Sequence, residues 1–245
     1  MIYERVDEHK AAIEVARPFA GHNLAMLREY YRIGLTWSSN ALEGNSLTEM
    51  ETKILLEDGL TVGGKPLRDT FEALGHSKAY DYMFSLLGVR VISLDNIKTL
   101  HRLFYSSIDE ANAGVWRNVE IIVTGTDYVF PSPEELDEQM RDFAAWIACE
   151  RDTMHPVQFA AMLHLKFVTI HPFIDGNGRV ARLLLNTALI QDGYLLAVIP
   201  PILRLEYLNA IRRYQSSGDA EAFCQLIAKL VLESEKEIIK LLKIQ

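Results

Sequence analysis

The sequence predicts an all-α fold carrying a single β-hairpin, on three observations. Apolar residues recur at three- and four-residue spacing through most of the chain, the period of helices with one buried face. One short stretch breaks that period with β-branched residues on either side of a turn. The composition, 49% hydrophobic and 24% charged over 245 residues, is that of an ordinary globular protein and excludes disordered and fibrous classes. A chain of this length buries enough surface to need no disulfide or zinc staple.

Taken in order, helical periodicity runs from Leu24 to Leu42, Met50 to Leu56, Phe71 to Leu87 and Leu94 to Ile108. It returns at Leu136 to Ile147, Val157 to Ile170, Val180 to Ile190, Leu203 to Tyr214 and Ala222 to Leu242. Ser46 with Glu49 three residues on reads as a capping box; Ser132-Pro133-Glu134-Glu135 reads as another, with proline at the first helical position. Gly44 and Gly59 read as helix stops, and the loop Gly59–Pro66 as the one candidate hinge. Val119–Val123, the turn Thr124–Asp127 and Tyr128–Pro131 form the predicted hairpin. A lone hairpin is marginal, so it must lean on the helices or offer itself to another molecule. The expected organisation is one compact unit: N-terminal helices over residues 1–58 and a core over 59–245.

Charge and cysteine usage narrow the function classes. Thirty-three acidic residues against 25 basic ones give a net −8, which argues against a nucleic-acid partner held by bulk charge; any phosphate contact must be a local cluster of cations. Cys149 and Cys224 lie far apart with no ligand spacing and read as buried apolar positions in a reducing compartment. Residues Met1 to Glu8 lack the apolar run of a signal peptide. The most apolar stretch, Leu195 to Leu203, is too short to span a bilayer and contains Pro200-Pro201. The expectation is a cytoplasmic protein with no membrane partner.

The chemistry concentrates in His171-Pro172-Phe173-Ile174-Asp175-Gly176-Asn177-Gly178-Arg179-Val180-Ala181-Arg182, a loop between two strongly helical segments. Pro172 disfavours helical geometry at His171, so the first helix ends there and the histidine projects into the loop. Gly176-Asn177-Gly178 allows positive φ and lets backbone N–H groups converge on an anion, beside the positive end of the next helix. Arg179 and Arg182 in the first turns of that helix oppose its dipole, which is understandable if both reach a bound polyphosphate. Asp175 is then the natural oxygen ligand for the magnesium that accompanies nucleotide phosphates, and His171 a base near neutral pH. Singly, each of these residues is more often structural; the ordered set describes transfer of a phosphate-containing group to a hydroxyl. His164, His171 and Asp175 also invite a metallohydrolase reading, but the seven-residue spacing is not that of zinc helices and no third nitrogen or sulfur ligand appears. His164, His76 and His101 read as core histidines, and Trp37, Trp116 and Trp146 as packing.

The stretch His171–Arg182 matches in full the H-P-F-x-[D/E]-G-N-G-R-x-x-R signature of the Fic family, which transfers AMP from ATP to protein hydroxyls. Thr61–Lys65, Gly114–Arg117 and Ser216–Asp219 also resemble their Fic counterparts, so the similarity covers roughly residues 36 to 232. The resemblance implies a Fic-type helical domain. It implies His171 as the base, Asp175 on magnesium, and Gly176, Asn177 and Gly178 cradling phosphates, with Arg179 supporting the anion hole and Arg182 on the terminal phosphate. It implies that the hairpin, with Ile121, Ile122, Val123, Thr124, Gly125 and Thr126, is a flap docking the target, and it puts Tyr207 near adenine.

Upstream, Glu43 is a carboxylate at a helix C-terminus, where negative charge is unfavourable unless a cation answers it. The segment Ser39-Asn40-Ala41-Leu42-Glu43-Gly44 resembles the [S/T]-x-x-x-E-[G/N] inhibitory motif of the same family. That resemblance implies an inhibitory helix over about 36–45, with Glu43 paired to Arg182. The expected function is therefore an autoinhibited protein adenylyltransferase using Mg–ATP on a Ser, Thr or Tyr hydroxyl, itself included. Removal of AMP is a second activity known in relatives. A nucleotide-gated binding module, and phosphoryl or other nucleotidyl transfer, are the alternatives; ATP, a hydroxyl-bearing protein and a homodimer are the partners allowed.

Overall fold

The computed structural model describes residues 2–15, 21–61 and 63–243. Among the described residues there are ten α-helices: α1 (Ile2–Val15), α2 (Gly21–Ala41), α3 (Glu49–Asp58), α4 (Leu67–Ser85), α5 (Leu94–Tyr105), α6 (Leu136–Glu150), α7 (Pro156–Ile170), α8 (Asn177–Gln191), α9 (Arg204–Ser217) and α10 (Glu221–Leu241). All nine expected helices are present. Helix α1 is the addition: only Val6 and Ile13 of it are buried, too few to print a stripe in the sequence, and it is held by packing along α10.

The core forms around α7 and α8, which pack along one another and bury residues on every face. Helix α7 begins at Pro156, where a missing N–H costs nothing, with the His155 ring accepting from Val157 N–H at 3.2 Å. It ends where Pro172 forbids another turn, leaving His171 in the left-handed region at φ 53°, ψ 58°. Helices α4 and α5 pack as a pair beside α8, and α2 lies across α4.

Three local expectations are corrected. The cap of α3 is Thr48 with Glu51, because Asp69 of α4 takes both the N–H and the hydroxyl of Ser46, at 2.7 and 2.6 Å. Cys149 is exposed on α6, whereas Cys224 is buried as expected. Among the described residues there is no β-strand: residues 119–131 are two arms of irregular backbone around a turn at Thr124-Gly125, without a ladder. The Arg117 guanidinium donates instead to Val119 O and Pro131 O, at 2.9 and 2.5 Å, and so joins the bases of the two arms. No helix among the described residues is long and apolar enough to cross a membrane.

Candidate active site

The loop from His171 to Gly176 is fixed by its own polar atoms before any ligand is considered. The Asn177 side chain accepts from Phe173 N–H at 2.9 Å and donates to Phe173 O at 2.8 Å, which commits its amide to the loop and leaves only its backbone facing outward chemistry. Gly176, at φ 79°, starts α8 in a conformation that L-residues avoid, and a Cβ there would lie 2.8 Å from the Phe104 ring. His101 of α5 accepts from Gly114 N–H on Nδ1 at 2.8 Å, so its proton sits on Nε2 and is donated to Asp175 O at 3.1 Å. Its ring lies flat on Phe173, with 3.7 Å between centroids.

His171 is half-buried, with Phe130 of the second arm edge-on to its ring at 4.8 Å. Its Nδ1 faces Val168 O at 3.3 Å; a carbonyl only accepts, so Nδ1 carries the proton and Nε2 keeps its lone pair. Burial, with Arg117 nearby, pushes its pKa down to about 4, against an opposing contribution from the Val168 carbonyl. The imidazole is therefore neutral, and able to accept a proton, at pH 7.

Asp175 accepts from Gly176 N–H (2.6 Å) and Arg179 (3.2 Å) on one oxygen and from Arg68 (2.5 Å) on the other. Burial would raise its pKa, but Arg179, the Gly176 N–H and Arg68 together hold it below the ordinary carboxylate value. Arg179 also pairs with Glu72 of α4 at 3.0 Å and lies over the Phe104 ring.

Arg182 is the most committed cation. Its Nε donates to Ser39 Oγ at 2.9 Å, Nη2 to Ser39 O and to Glu43 Oε1, both at 2.8 Å, and Nη1 to the Tyr207 hydroxyl at 3.0 Å. Tyr207 is buried, and its hydroxyl also meets His164 Nε2 at 2.9 Å, so the structure places it behind Arg182 rather than on an open shelf for a base. Burial opposes ionisation of Glu43, yet Arg182 and Arg179 reverse that and hold it ionised below its usual pKa. The same carboxylate covers the helix start: a Cβ on Gly178 would fall 2.3 Å from Glu43 Oε1. Glu43 thus lies against the positive N-terminal end of α8 and against the Arg182 guanidinium together.

The turn that carries Glu43 is fastened from outside. Asn45 donates to Asp69 O and Glu72, at 3.0 and 2.9 Å, and Arg204 donates to Leu42 O at 2.8 Å. Sequence reasoning did not single out Arg68, Glu72 or Asn45, because each sits in an unexceptional helical or turn context. The arms' residues are placed outward: Ile122 is 97% exposed, Thr124 and Gly125 are exposed, and Ile121, Val123 and Thr126 are half-exposed.

Three fully buried histidines behind the site make stability pH-dependent. Burial lowers His76 to about 3 and His101 to about 4, and places His164 well below the ordinary 6.5. The unfolded chain binds these protons more readily, so the stability they contribute is complete above pH 6.5 and is lost as pH falls towards 4. At pH 5 His76 and His101 each cost about 2 kcal/mol, and His164 acts in the same direction. Thermal melts are expected to give a Tm lower by about 10 °C at pH 5 than at pH 7; equal midpoints would contradict this.

Asp175 is a single carboxylate, and among the described residues no cluster of three His, Cys, Asp or Glu could hold a metal alone. That donor set suits magnesium arriving with phosphate oxygens and does not suit a resident zinc or iron.

The chain is similar in sequence and fold to known proteins. Residues 91–189 match the model of the Fic/DOC family. A protein adenylyltransferase Fic of Nematostella vectensis is 35% identical over 204 residues, covering 79% of this chain and 45% of that protein. Its namesake in Drosophila grimshawi is 37% identical over 194 residues, with 78% and 40% covered. Thus the chain spans less than half the length of these curated relatives. Among solved structures, Fic-1 of C. elegans superposes with a TM-score of 0.87 at 30% identity, over 99% of this chain and 72% of that one. A Fic domain containing signalling protein from Bacteroides thetaiotaomicron gives 0.89 at 28%, over 96% and 97%. With its signature loop intact and its whole length matched in structure, this chain belongs to the Fic/DOC family.

Proposed function

We propose that the protein is an adenylyltransferase held shut by its own Glu43, moving AMP from Mg–ATP to a Ser, Thr or Tyr hydroxyl of a protein. The observation that carries this reading is the anion cradle at Gly178 and Arg182 filled by a carboxylate from the same chain. A carboxylate that satisfies this site uses the hydrogen-bonding chemistry of a phosphate, and the two compete. The similarity to protein adenylyltransferases supports AMP as the transferred group.

The steps follow from the side chains. His171 Nε2 takes the proton of the target hydroxyl, and its oxygen attacks the α-phosphorus. The new O–P bond forms as the α–β bridging bond breaks, and pyrophosphate leaves. Backbone N–H groups of Asn177 and Gly178 and the Arg182 guanidinium hold the phosphate charge once Glu43 has withdrawn, while Arg179 and the Gly176 N–H keep Asp175 in place. Magnesium held by Asp175 would neutralise phosphate charge. The unladdered arms of 119–131, with Ile122 outward, suit a target segment adding as a strand. Glu43 is itself 37% exposed at the side chain and can orient a water, which supports removal of AMP as a second activity.

Intact mass after incubation with Mg–ATP tests the reading on wild type, Glu43→Gly and Glu43→Gly/His171→Ala. An added AMP on the Glu43→Gly protein, or on a lysate protein it labels, is expected, with none from the double variant. An added phosphate would change the reaction class. No adduct anywhere, with ATP binding intact, would make the chain a nucleotide-gated binding module.

A further inference from the structure

Arg117 is a buried cation that, among the described residues, pairs with no carboxylate. Its guanidinium is spent on three backbone carbonyls: Nε on His171 O at 2.9 Å, Nη1 on Val119 O at 2.9 Å and Nη2 on Pro131 O at 2.5 Å. Its own N–H donates to Pro172 O at 2.9 Å. Burial lowers its pKa accordingly, with distant Glu120 the opposing influence. A purely structural cation would be expected to find an acid; this one joins three otherwise separate points of the chain. Two of them are the arms of residues 119–131, and the third is the carbonyl of the histidine held at φ 53°. Close by, His101 ties Gly114 N–H to Asp175 O, so the segment leading into the arms is fastened to the signature loop at both of its ends.

We propose that Arg117 is a positioning residue that sets the distance and angle between a target docked on the two arms and Nε2 of His171. This rests on the adenylyltransferase reading above and goes beyond it, because it makes arm geometry and base geometry one variable. The carbonyls of Val119 and Pro131 close the base of the arms in place of a ladder. The strand-pairing groups further out are thereby left for the target. The fork geometry matters: lysine keeps the charge but donates from a single point and cannot hold three divergent carbonyls. A displacement of the acceptor by about 1 Å is enough to cost up to about a hundredfold in rate. The nucleotide cradle, built from the α8 N-terminus and Arg182, contains none of these contacts.

The test compares Glu43→Gly with Glu43→Gly/Arg117→Lys, and adds Arg117→Lys alone in case the double variant folds poorly. Three readouts are taken: ADP affinity by calorimetry, amide exchange of residues 119–131 and 171–176, and steady-state AMP transfer to a labelled acceptor. Expected are ADP affinity within about twofold of the parent, arm amides exchanging about tenfold faster, and kcat lower by about tenfold or more. A loss of ADP affinity matching the loss of rate would overturn the proposal, since Arg117 would then merely support the whole loop. Unchanged arm exchange, or kcat within twofold, would overturn it as well. If Glu43→Gly itself transfers no AMP, the adenylyltransferase reading fails. Exchange in Arg117→Lys then still decides the coupling: faster exchange in both segments upholds it and no change in either refutes it.

Discussion

Replacing Glu43 with glycine is expected to raise AMP transfer from Mg–ATP by about two orders of magnitude, the equivalent of removing a charge-assisted contact of about 2–3 kcal/mol from the competition for Arg182. The carboxylate sits 2.8 Å from Arg182 Nη2 and directly above Gly178, so a terminal phosphate and Glu43 cannot both be seated. Arg182 does not become an orphan in the variant: Ser39 Oγ, Ser39 O and the Tyr207 hydroxyl still accept from it. The fold therefore survives with a stability loss of about 1–2 kcal/mol. Residue 43 lies beyond the end of α2 at Ala41, so glycine there breaks no helix. Glu43→Gln keeps the shape and loses the charge, and should fall between the two. Initial rates with labelled ATP at saturation make the comparison, and equal rates for wild type and Glu43→Gly would remove the brake from the account.

The second large effect is on His171. Substitution by alanine in the Glu43→Gly background should lower transfer by about 10²–10⁴, the usual contribution of a positioned general base. ADP affinity should hold, because the contacts of Glu43 at Gly178 and Arg182 that mark the phosphate cradle make no use of the ring. His171 occupies a left-handed conformation at φ 53°, so His171→Asn is the sounder fold control; asparagine tolerates that region better than most residues. Since burial already keeps the imidazole neutral, with a pKa of about 4, activity should be flat from pH 6 to pH 8 on the acid side. A variant retaining more than a tenth of parental activity would show that the proton leaves by another route.

The pH and Arg117 predictions show where sequence reasoning stopped. His101 reads as a core histidine from its helix, and it is buried, yet its two ring nitrogens clip Gly114 to Asp175. Arg117 is visible only as part of a lead-in segment; nothing local says that its partners are three carbonyls, two of them 14 and 54 positions away. Ser46 illustrates the reverse. A good local cap signal lost to Asp69, 23 residues on, and Thr48 capped α3 instead. The arms of 119–131 have strand composition without a ladder, because β-branched residues favour extended backbone but cannot by themselves supply a pairing partner.

Local patterns report the physics that acts over a few residues. Nine helices follow from periodicity, the end of α7 from Pro172, and the glycine turn before α8 from Gly176, while the base, carboxylate and arginines of the loop come in one contiguous run. How that run is answered depends on contacts made across the folded chain. Arg182 meets Glu43 across 139 positions, Arg68 meets Asp175 across 107, and Arg179 meets Glu72 on α4. A buried guanidinium must find acceptors, but which ones it finds is set by which helices pack beside it, and packing is a property of the whole chain.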